Sequence, residues 1–95
     1  MTPSEYQDML AMIPVFRENY RSLLEKGMNP RVGMRNKWLS SDVFLTWDGM
    51  GGNPGLFLLR GIRGWNSRKI AQAAVWYFLE EANKIVKAHA GGSPK

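Results

Sequence analysis

The chain contains no cysteine and a single histidine, His89. Without cysteine there is no disulfide framework, no thiolate nucleophile and no Cys-based zinc or iron–sulfur site. One histidine excludes every two-histidine metal motif and leaves any Ser-His pair a single candidate near the C-terminal end. No run of eighteen apolar residues occurs, so no segment reads as a bilayer span and no integral membrane association is expected. Met1-Thr2-Pro3-Ser4-Glu5 lacks the basic-then-apolar layout of a signal peptide, and the expected location is cytoplasmic. At 95 residues the length suits one domain, taken as residues 1–90, with the apolar-poor tail 91–95 expected to be disordered.

Acidic residues are scarce in one place only. Residues 27–69 carry Arg31, Arg35, Lys37, Arg60, Arg63, Arg68 and Lys69 against Asp42 and Asp48, a net +5. The flanks are close to neutral, −1 over 1–26 and +1 over 70–95. The whole excess of the chain therefore lies in its middle, where it attracts phosphates, anionic lipid or an acidic protein face. The plain alternative is a solvated basic surface.

Two helices are legible from spacing. Thr2, Pro3 and Glu5 give a cap, a first-turn proline and a capping-box acid. Met9, Ile13, Phe16, Tyr20 and Leu23 then recur on one face, widened by Leu10 and Leu24. Gly27 ends that helix, and Pro14 inside it predicts a kink. The second helix starts at Asn66 or Ser67 and buries Ala71, Val75, Phe78, Ala82 and Ile85, bordered by Leu79 and Val86. Its opposite stripe, Lys69, Gln72, Trp76, Glu80, Asn83 and Lys87, is polar except at Trp76. Between the helices, Val43–Trp47 and Leu56–Leu59 read as a hairpin with a glycine-rich tip. A third strand near 32–38 would steady so small a sheet. The expected fold is thus α+β, with a kinked N-terminal helix, a hairpin and a long C-terminal helix packed on one sheet face. An all-α alternative of four helices uses Leu39, Val43, Trp47 and Met50 as a helical face, but Gly61 and Gly64 weigh against it.

Little in this inventory supports catalysis. Asp42 and Asp48 have no histidine or cysteine beside them and read as turn residues. Glu80-Glu81 reads as solvated surface, and His89 as a favourable charge at a helix C-terminus. No enzyme activity, metal or cofactor is expected. The glycines of 49–55 end in Gly-Leu-Phe, without the Lys-Ser/Thr of a phosphate-binding loop.

The segments richest in binding chemistry are 31–38, with Arg31, Arg35, Lys37 and Trp38, and 60–69, with Arg60, Arg63, Trp65, Ser67, Arg68 and Lys69. Arginine forks match phosphate oxygens, and bases stack on rings, so this mixture suits nucleic acid. Large aromatics usually fill cores, which would instead place Trp38, Trp47 and Trp65 inside, Trp65 being the most shared with the surface. A second class of function is a protein-binding adaptor or inhibitor, with a homodimer among its forms. It would use Trp76, Tyr77 and, at the glycine-rich tip, Met50. A third, weaker class is peripheral attachment to anionic membrane.

Overall fold

The computed structural model describes residues 3–49 and 55–91. The elements follow the order α1 (Pro3–Glu25), β1 (Arg31–Lys37), β2 (Ser40–Thr46), β3 (Leu56–Arg63) and α2 (Ser67–Gly91). The three strands form an antiparallel meander in the order β1-β2-β3. The α+β reading holds, and the third strand lies where expected. The four-helix alternative is overturned, because Ser40–Thr46 is the central strand, paired antiparallel with Arg31–Lys37 on one side and Leu56–Arg63 on the other.

Helix α1 continues through Pro14 as one helix rather than splitting there. Met9, Phe16 and Tyr20 hold its buried face on both sides of the proline. Leu10, expected to widen that face, is exposed. At the C-terminus the Met28 N–H donates to the Leu23 carbonyl and the Gly27 N–H to the Leu24 carbonyl, the paired bonds of a Schellman cap. The Met28 carbonyl then accepts the Asp48 N–H at 2.9 Å, tying this connection to the loop after β2. Helix α2 takes its first carbonyl acceptor from Asn66, which bonds the Ile70 N–H. It includes Gly91, the first residue of the tail expected to be disordered. Thr2, Met50 and residues 92–95 lie outside the described residues, so the first-helix cap, the hairpin tip and most of the tail are not reached.

The core is built on one face of the sheet. Val43 and Leu45 from β2, and Leu58, Leu59 and Ile62 from β3, meet Met9, Phe16 and Tyr20 of α1. From α2 they meet Ile70, Ala71, Ala74, Phe78, Ala82 and Ile85. Phe16 packs on Phe78 with centroids 5.1 Å apart, in a tilted contact worth something beyond area burial alone. Trp47 is half-buried against this cluster, as expected. Trp38 and Trp65 are not: they are 85% and 86% exposed. Both sit in connections rather than strands, where no core face exists to receive them.

The two faces of α2 predict a contrast. Phe78→Ala is expected to lower stability by about 3–5 kcal/mol, the cost of emptying a core aromatic site. Trp76→Ala, two residues earlier on the exposed stripe, is expected to lower it by less than about 1 kcal/mol. Urea unfolding of the two variants checks the pair; equal costs would mean that another element covers Trp76.

Candidate nucleic-acid interface

Strand register decides which cations meet. The pairs Arg31↔Thr46, Gly33↔Phe44, Arg35↔Asp42 and Lys37↔Ser40 put alternate residues of β1 on one side of the sheet. On β3, Phe57 pairs with Phe44 and Arg63 with Ser40. These residues lie opposite Val43 and Leu45, on the face the helices leave open. Phe44 and Phe57 are accordingly absent from the core cluster and remain partly exposed. Arg31, Arg35, Lys37, Arg60 and Arg63 therefore share the open face, from two segments some twenty residues apart in sequence.

Two irregularities on β3 shape that face. Leu58 is extra between the pairs Phe44↔Phe57 and Val43↔Leu59, and a second shift follows before Ser41↔Ile62. At the second one Gly61 adopts φ 71°, a left-handed value that favours glycine. Its N–H donates to Asp42 Oδ1 at 2.8 Å. Bulges of this kind bend a strand and re-aim its side chains. Arg60 is aimed so that its guanidinium lies 4.7 Å from the Phe57 ring centroid.

Among the described residues Asp42 is the one acid borne by a strand of this face, and it is 3% exposed. Besides Gly61 it accepts from Arg35 at 3.1 and 3.3 Å and lies 3.8 Å from Lys37 Nζ. Burial pushes its carboxyl upward. The Gly61 N–H, the Arg35 hydrogen bond and the charges of Lys37 and Arg35 outweigh burial and hold it below the ordinary value. Asp42 is thus a cross-strand clamp, not the turn residue the sequence implied. Arg35, so held, also lies 5.6 Å from the Phe57 centroid.

Beyond Lys37 and Arg63 the face runs onto one end of the molecule. The β1–β2 turn is only Trp38-Leu39, with Leu39 at φ 56°, a conformation that costs a non-glycine residue about 1–2 kcal/mol. The Leu39 carbonyl accepts the Gly64 N–H at 3.1 Å, which fixes this turn against the β3–α2 connection. A groove of about 380 Å³ results, with Lys37, Trp38, Trp65, Arg68, Lys69 and Gln72 among its walls. A second groove, about 550 Å³, adjoins it and reaches Arg60 and Arg63. On the far side of β3, Glu5 and Asp8 of α1 line a groove with the same two arginines and bound the basic surface.

The expected residues are not all alike in this setting. Arg31 shares the face but stands at its opposite end, about 20 Å from Lys37 along the strand, paired with Asp48 at 2.9 Å. Ser67 is buried, its Oγ 3.5 Å from that of Ser41, so its hydroxyl belongs to the core side. Tyr77 makes an edge contact with Tyr6 at 6.0 Å and joins the two helices. Glu81 is no solvated acid. It bonds Arg17 at 2.7 Å, with Lys84 at 3.6 Å, and the Arg17 hydrogen bond holds its carboxyl low. Phe44 and Phe57 were missed, although their places in an alternating strand pattern held the signal. Among the described residues no group of three His, Cys, Asp or Glu side chains is set to hold a metal, and no helix is long and apolar enough to cross a membrane. Comparison of the chain with protein-family models, with curated proteins and with solved structures yields no match.

The Asp42 clamp carries a pH signature. Its folded-state pKa is lowered, so its contribution is complete above the unfolded value near about 3.9 and is lost as pH falls through the folded value. Glu81 acts in the same direction. Thermal melts from neutral pH to about pH 2.5 are expected to fall steeply below that unfolded value. Asp42→Asn should start about 1–3 kcal/mol lower at neutral pH and show a shallower acid limb. An unchanged acid limb would remove Asp42 from this role.

Proposed function

We propose that the chain is a non-enzymatic module that binds nucleic acid through the open sheet face and the end formed by Trp38, Trp65, Arg68 and Lys69. One observation supports the reading: four cations from distant segments, Arg35, Lys37, Arg60 and Arg63, share a face on which Asp42, the one strand-borne acid among the described residues, is buried and engaged, while Arg31 at the far end is paired with Asp48. A polyanion fits such a surface better than a small anion does, because the charges are spread along the strands rather than focused on one point. Arginines supply most of them, with forks suited to phosphate. The exposed tryptophans add ring faces at the rim.

Affinity is expected to fall steeply with salt. Neutralising four to six phosphates implies a log–log slope of roughly −3 to −5, with little sequence preference. Arg63→Ala and Arg68→Ala should each weaken binding and reduce the slope by about 1 while leaving the melting temperature nearly unchanged. Fluorescence anisotropy with single and double strands at about 50 mM salt checks this; flat titrations against both would end the reading.

Trp76 favours a second reading. It is 67% exposed, with Leu79 and Val86 also exposed on α2. A protein partner, or a second copy of the chain, would cover such residues, and an acidic partner surface would suit the sheet face. If so, Trp76→Ala weakens that assembly by at least about 2 kcal/mol, the threshold of an interface hot spot. Light scattering across a concentration series, compared with the variant, detects the homodimeric form; a monomer at all concentrations would leave only a foreign partner.

A further inference from the structure

Resting on the nucleic-acid reading, we infer that the strand bound is single, and that its bases stack on the open sheet face around Phe57 and Phe44. The two rings lie in an edge contact, centroids 6.2 Å apart, on a face that also carries Arg35, Lys37, Arg60 and Arg63. A Cβ at Gly33 would come within 2.9 Å of the Phe44 ring, so the glycine on β1 leaves the space that ring occupies. The guanidinium groups of Arg35 and Arg60 stand over the Phe57 ring. They add their own planes to the surface on which a base can lie.

This arrangement separates the two kinds of partner by chemistry. A duplex offers its phosphates outward and keeps its bases stacked inside, so it meets the cations and finds no use for two phenyl rings among them. A single strand offers both groups at once, its phosphates to arginine and its bases to rings. Along β1 the open-face positions recur about every 6.6 Å, twice the rise per residue, with Arg35 and Lys37 at adjacent ones and Gly33 making room for Phe44, a spacing on the scale of one nucleotide of an extended strand. At the end of the same face Trp38 and Trp65 are almost wholly exposed and continue the stacking surface past Lys37 and Arg63. Charge continuity with that end commits the face to the strand rather than to a second copy of this chain, which would bring like charges together.

The test uses the full chain and fluorescein-labelled oligothymidylate of about twelve nucleotides, within the site sizes of single-strand binders, against a mixed-sequence duplex of equal length. Wild-type protein is expected to bind the single strand at least tenfold tighter than the duplex at the same salt. Phe57→Leu should weaken single-strand binding by about 5- to 150-fold, the worth of one stacked base, with the salt slope and duplex affinity unchanged. Phe57→Tyr keeps a ring and should keep the affinity. Duplex binding as tight as single-strand binding overturns the inference in the wild-type protein, whatever the variants do. So does a folded Phe57→Leu variant that binds as the wild type does. Failure to bind either form would instead overturn the nucleic-acid reading beneath it.

Discussion

A carboxylate on the central strand holds both edge strands. Asp42 takes Arg35 and Lys37 from β1 on one side and the Gly61 N–H from the β3 bulge on the other. It lies on the face that no helix covers, yet water scarcely reaches it, because the Arg35 guanidinium, the Lys37 ammonium and the Gly61 N–H close over its carboxylate. An acid in that place cancels part of the repulsion between the cations above it. It also fixes Arg35 where it lies over Phe57. Structure and candidate site therefore share one group.

One-sided coverage follows from the numbers of elements. Two helices suffice to cover one face of three short strands, and the apolar residues are distributed accordingly. Val32, Met34, Val43, Leu45, Leu59 and Ile62 point inward. The other face would be an ordinary polar surface but for Phe44 and Phe57. Apolar rings among exposed cations add nothing to the core and are partly covered by each other and by the Arg35 and Arg60 guanidinium groups; under the proposed function their exposed parts are the contact surface. The Trp38-Leu39 turn points the same way. A strained leucine and an almost wholly exposed tryptophan occupy two positions where asparagine and glycine would give an easier hairpin.

Much of this was legible in the sequence where a pattern repeats. The helical stripes, the Gly27 stop and the polar stripe around Trp76 follow from spacing alone. Strand β1 was only suspected, because Arg31-Val-Gly-Met-Arg-Asn-Lys has weak strand formers. Its period of two was nonetheless present, with cations on the odd positions. That same period places Arg31, Arg35 and Lys37 on one face, a grouping composition does not reveal. Tryptophan burial was misjudged at Trp38 and Trp65 because size is a guide to burial only inside regular elements. The roles of Asp42 and Glu81 are not legible in sequence: Lys84 is a helical neighbour of Glu81, but Arg17, Arg35 and the Gly61 N–H come from other elements, and only the fold brings them near.

The cations of the open face interact even in the absence of a ligand. Arg35 and Lys37 stand about 6.6 Å apart along β1, closer than the Debye length of about 8 Å at physiological ionic strength, so screening between such neighbours is incomplete. Salt then acts on the free and bound forms in opposite senses. It relieves repulsion across the free face and so favours the folded chain, and it weakens attraction to a polyanion. A bound polyanion would replace the salt in the first of these effects, since each phosphate sets one negative charge against the cations beside it. Were a polyanion bound there, as proposed, binding and folding would be coupled through that relief.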